Sequence, residues 1–126
     1  MKKETSFDFK SIKTFEDACS ATGTDTETIN LPGLTDDELA YRMLKIVVKA
    51  INNGWTPDWN NFSQWKYYAW FNLSSGSGFS DSGCVFGHTV STIGSRLCFE
   101  SREKCEYAAK QFKNIYMQFF TTTQPG

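Results

Sequence analysis

Polar and apolar positions from residue 35 onward recur with helical spacing. Leu39, Met43, Ile46, Val47, Ala50 and Ile51 form one broad stripe, and Arg42, Lys45 and Lys49 lie off it. Thr35 and Glu38 supply a T-x-x-E capping box ahead of the run, and Asn52-Asn53-Gly54 closes it with residues that tolerate the left-handed conformation. The pattern predicts a helix over 36–52. A shorter helix of about two turns starts at Thr14, whose hydroxyl precedes Glu16 and Asp17. Phe15, Ala18, Cys19 and Thr22 share its face and Gly23 stops it. The stretch TDTETINLPG (24–33) reads as a connecting loop. Near the end of the chain Ser101 can cap REKCEYAAKQFKNIYMQFF. There Cys105, Ala108, Phe112, Ile115 and Phe119 keep helical spacing, and Ala109, Tyr116 and Phe120 widen the stripe, so a single helix is expected.

Between these helices the period changes. WKYYAWFNLS alternates at period two and is rich in rings, which predicts a strand over about 64–73. Serine and glycine punctuate 74–83, CVFG (84–87) is a candidate second strand, and RLCFE (96–100) a candidate third. The expected fold class is α+β: a small antiparallel sheet of two to three strands packed with three helices, in the order α-α-β-β-(β)-α. A chain of 126 residues fits one domain with a real core, and residues 1–12 and 121–126 are expected as flexible ends.

Composition removes several chemistries. A net charge of −1 argues against nucleic-acid binding by bulk electrostatics, which shows a basic excess. MKKETSFDFKSIK has no apolar h-region, and no apolar run approaches the ~20 residues that span a bilayer, so the expectation is a soluble, cytoplasmic protein with no membrane partner. Cys19, Cys84, Cys98 and Cys105 contain no C-x-x-C pair and read as reduced, buried thiols. Zinc on Cys84, His88, Cys98 and Cys105 is the sharper alternative, but that spacing matches no familiar zinc pattern. His88, the one histidine, sits in a Gly-His-Thr turn, and no G-x-S-x-G elbow, Walker loop or G-x-G-x-x-G is present. Asp36, Asp37 and Glu38 are explained by a helix N-terminus and Asp58 by turn chemistry after Pro57. The reading is therefore a non-catalytic protein with no cofactor, a small enzyme or metal protein being the minor alternative.

The segment GWTPDWNNFSQWKYYAWF (54–71) carries the positive signal: eight of its eighteen residues are aromatic and all four tryptophans lie in it. As a strand it turns Trp65, Tyr67, Ala69, Phe71 and Leu73 one way, toward covering helices, and Lys66, Tyr68, Trp70 and Asn72 the other. If Arg96 shares the second face, two rings, a guanidinium and an ammonium meet there. Trp55 and Trp59 could close over the end of the long helix. The candidate binding residues are thus Trp55, Trp59, Lys66, Tyr68, Trp70 and Arg96. They suit a protein partner or self-association, or stacking of a nucleotide or single-stranded nucleic acid. Burial of the rings in a small core explains the same residues without any ligand.

KTFEDAC (13–19), GWTPDWNNFSQWKYYAWF (54–71) and GSRLCFESREKCEYAAKQF (94–112) together resemble a group of small uncharacterised proteins of Bacteroides-type bacteria and their phages and mobile elements. That group has blocks like SFEDAC, GWKPDWN…QYKYYPWF and GSRLCFKS-x-E-x-AEYAGKQF in the same order. Ala69 stands here where the group often has proline, and Cys105 and Ala109 where it often has alanine and glycine. The resemblance implies a phage or prophage accessory protein. It brings no activity and no functional residue with it.

Overall fold

The computed structural model describes residues 7–58, 60, 64–71, 82–87 and 97–121. Among these residues are four α-helices: α1 Phe15–Thr22, α2 Asp36–Asn52, α3 Arg102–Gln111 and α4 Lys113–Thr121. Short 3-10 turns occupy Phe9–Ser11 and Thr26–Thr28. Strands β1 Lys66–Phe71 and β2 Ser82–Gly87 pair antiparallel, with Lys66 opposite Gly87, Tyr68 opposite Val85 and Trp70 opposite Gly83.

Local signals set the helix ends. Both α1 and α2 start on complete capping boxes, Thr14 with Asp17 and Thr35 with Glu38. α1 stops at Gly23 (φ 69°) and α2 at Asn53 (φ 50°), both left-handed, so the last carbonyls find donors without steric cost to a bulky residue. α2 is the central element. It packs chiefly on α1 and α4, less on α3, and α3 lies on both strands. Three-sided packing moves its buried set: Ala40, Leu44, Val47, Val48, Ala50 and Ile51 are buried, whereas Leu39, Met43 and Ile46 of the expected stripe are half-buried. Leu44, Val47 and Ile51 meet Ala69, Leu97, Phe99, Cys105, Ala108, Phe112 and Tyr116 in one core. The stretch from Phe9 to Lys13 is tied to α3: the Tyr107 hydroxyl donates to the Ile12 carbonyl (2.7 Å) and Gln111 Nε2 to that of Lys13 (2.7 Å).

The α+β expectation is overturned. Among the described residues the chain is mainly helical, with four α-helices rather than three, and its β-structure there is one hairpin and an isolated bridge. Two physical causes account for the difference. The C-terminal run divides at Phe112 (φ −113°, ψ 29°), because its halves pack on different elements. The small residues Cys105, Ala108 and Ala109 let α3 approach the strands, and Tyr116 and Phe119 carry α4 to α2. Residues 97–100, the described part of the expected third strand, do not form one. Phe99 alone bridges Tyr67, exchanging both backbone hydrogen bonds with it (3.1 and 2.6 Å). The flanking groups are taken by a side chain of α2: Asn52 Nδ2 donates to the Cys98 carbonyl (2.9 Å) and the Glu100 amide donates to Asn52 Oδ1 (3.1 Å). In an antiparallel ladder those groups point away from the paired strand. The carboxamide therefore occupies the outer edge as a further strand's peptide group would.

No helix among the described residues is long and apolar enough to cross a membrane.

Candidate functional site

The loop after α2 carries the first rings. Trp55 is half-buried, and its backbone N–H donates to the Asn52 carbonyl (3.2 Å), so it continues the helix stop. Asp58 serves the turn: its Oδ1 accepts from Asn60 N–H (3.0 Å), while its own N–H donates to Gln64 Oε1 (2.7 Å). Trp65 follows just before β1 and is 46% exposed, although period two assigned it to the covered face.

Along β1, Ala69 is buried in the core and Tyr67 packs against it, as expected of the inward set. The Arg102 guanidinium lies 5.9 Å from the Tyr67 ring centroid. Lys66 departs from its expected exposure. It is 1% exposed, with Nζ donating to the Gln64 carbonyl (3.2 Å), so its ammonium is not offered on an open face. Tyr68 is half-buried. Trp70 holds its register position in β1, its side chain lying outside the described residues, as do Trp59, His88 and Arg96 altogether. Of the six candidates, Lys66 and Tyr68 are therefore placed on one strand, and Trp55 in the loop before it.

Beside Lys66 lies a group of buried titratable side chains. Burial pushes the Cys98 thiol up to about 11, and the Lys66 charge pulls it partly back. The Tyr116 hydroxyl is also raised, first by its burial and then by Cys98. Cys98 thus lies within electrostatic reach of both Lys66 and Tyr116, and all three are buried. Cys19 and Cys98 are free and buried, whereas Cys105 is disulfide-bonded, which corrects the expectation of uniformly reduced thiols. A disulfide sulfur supplies no thiolate, so the zinc set that included Cys105 loses a ligand. Among the described residues no three His, Cys, Asp or Glu side chains gather as a metal-holding group.

Sequence reasoning passed over two features. Asn52 read only as a helix stop, yet it binds a segment 46 and 48 residues away. The α2–α4 groove was also missed, because Tyr41, Arg42 and Lys45 lie off the apolar stripe. The i, i+4 spacing of Asp37, Tyr41 and Lys45 was the available signal. Comparison of the chain with family models, curated proteins and solved structures finds no match.

Proposed function

We propose that this is a non-catalytic accessory protein of a phage or mobile element that binds a protein partner through the aromatic surface at the mouth of β1. The observation that supports it most is Trp65, 46% exposed and set directly before a buried, hydrogen-bonded Lys66. An indole presented at the end of an anchored strand loses little freedom on binding, and tryptophan is among the residues that dominate interface energy. Tyr68, half-buried three residues on in β1, is the second ring of this reading. The Cys105 disulfide supports an oxidising site of action, the cell envelope or beyond it, over the reducing cytoplasm.

Cross-linking of the tagged protein in host-cell extract, followed by mass spectrometry, tests the reading. Trp65→Ala and Tyr68→Ala should each lose the cross-linked partner while keeping the wild-type melting temperature. Retention of the partner by both variants would refute it. Nucleotides and single-stranded oligonucleotides serve as the comparison ligands. Salt-dependent quenching of tryptophan fluorescence that Trp65→Ala abolishes would favour base stacking instead.

A further inference from the structure

We propose that the groove between α2 and α4 is a self-association surface that seats α2 of a second copy of this chain, antiparallel, about a two-fold axis near Tyr41. It goes beyond the partner-binding reading and uses other residues, since neither Trp65 nor Tyr68 lines it.

A cavity of about 430 Å³ opens along α2, lined by Asp37, Glu38, Tyr41, Arg42, Lys45 and, from α4, Phe119. The five α2 residues follow one helical stripe, acidic toward its N-terminal end and basic toward its C-terminal end. Asp37 and Lys45 each stand four residues from Tyr41, or about 6 Å along the axis in opposite directions at ~1.5 Å per residue. A two-fold through Tyr41 therefore brings Asp37 of each copy onto Lys45 of the other. Such a patch is complementary to itself, as an isologous interface requires.

The helix dipole accounts for Asp37 and Glu38 in the first turn but not for Arg42 and Lys45, which lie mid-helix; Lys49 is the basic residue of the last turn. The acidic groups are turned toward the cap. Glu38 Oε1 accepts from Thr35 N–H (2.9 Å) and Asp37 Oδ1 from the Thr35 hydroxyl (2.7 Å). Among the described residues Arg42 accordingly makes no ion pair, although Glu38 stands four residues before it. Each carboxylate keeps further lone pairs for a cation from outside. The centre of the stripe is already ordered: Tyr41 stacks on Phe119 (5.5 Å between centroids, 28°), and Lys45 Nζ lies 5.1 Å from the Tyr41 ring. Ring and arginine at the centre, with opposite charges outward, is the anatomy of a specific interface.

Sedimentation equilibrium of the full chain tests this. The wild type should be a dimer at tens of micromolar, its Kd rising with salt. About the two-fold, Asp37→Lys sets ammonium against ammonium at both ends of the pairing and Lys45→Asp sets carboxylate against carboxylate, so each variant alone should be monomeric. An equimolar mixture of the two should form a heterodimer, because the opposed stripes then match. The double variant Asp37→Lys/Lys45→Asp should dimerise again. Circular dichroism verifies that every variant is folded. A monomeric wild type, dimeric single variants, or a folded mixture that stays monomeric would each overturn the proposal. Trp65→Ala and Tyr68→Ala should leave the dimer intact, so its failure and that of the hairpin reading are read separately.

Discussion

Replacement of Asn52 by alanine should cost this small domain a large share of its stability. Asn52 is 4% exposed at the end of α2, and its carboxamide makes two hydrogen bonds to the backbone at 98 and 100. Removing Nδ2 deletes a buried hydrogen bond to the carbonyl of Cys98, a residue 3% exposed, and such a loss costs about 1–3 kcal/mol. Glu100 is exposed, so its amide can turn to water, and that loss is nearer ~1 kcal/mol. Together they reach about 2–4 kcal/mol, against the ~5–15 kcal/mol typical of a folded domain. At roughly 4 °C per kcal/mol the melting temperature should fall by about 8–16 °C. Calorimetry and urea titration measure both quantities. Asn52→Asp keeps the acceptor for Glu100 and loses the donor to Cys98. It should be at least as unstable at neutral pH and recover in acid, where the protonated carboxyl can donate again. Neighbouring Asn53 is the control: at φ 50° glycine is unstrained, so Asn53→Gly should change little. An Asn52→Ala variant within about 0.5 kcal/mol of wild type would refute the view that this side chain pins the 97–100 segment.

Two further outcomes follow from the buried cysteines. The Cys98 thiol sits at about 11 in the fold against an ordinary 9.0, so the folded state holds its proton more tightly. Its contribution is complete below pH 9 and is lost as pH rises toward 11, with Tyr116 acting in the same sense. The urea midpoint should therefore drop between pH 9 and 11, and less steeply in Cys98→Ala; a pH-independent midpoint would contradict the burial. The second outcome concerns Cys105. Reductant should lower wild-type stability by roughly 2–4 kcal/mol and leave Cys105→Ser unmoved. Thiol titration in denaturant without reductant should find Cys19 and Cys98 reactive and Cys105 blocked.

The helices were largely legible because their signals are local. Thr14 and Thr35, with an acid three residues on, name a start, and Gly23 and Asn53 name a stop, whatever the rest of the chain does. The break at Phe112 was not legible, since the apolar stripe from Cys105 to Phe119 runs through it without proline or glycine. Only the difference between what α3 and α4 pack on bends the chain there. Residues 97–100 failed for a related reason. RLCFE has a strand's composition, but the bonds that decide its state come from Asn52, far away in sequence. Of the candidate residues, Trp55 and Tyr68 are half-buried, and Lys66 was misread because a charge was taken as a mark of exposure. Its stem can be buried while its ammonium reaches the Gln64 carbonyl.

That misreading relocates the aromatic surface. Period two separates two faces of a strand, and it equates the polar face with solvent only where nothing covers that face. Here Tyr67 and Ala69 serve the core on one side, and on the other Lys66 is buried in electrostatic reach of Cys98. The strand is thus enclosed at its first residue, while the ring just before it is exposed. Trp65 stands at that entrance, 46% exposed, one residue outside the ladder that orders its neighbour. The same burial that removes Lys66 from a nucleotide-binding face thereby stiffens the platform beneath the indole. A partner that reads this protein through its rings would meet Trp65 first, at the mouth of the strand, and the half-buried Tyr68 after it.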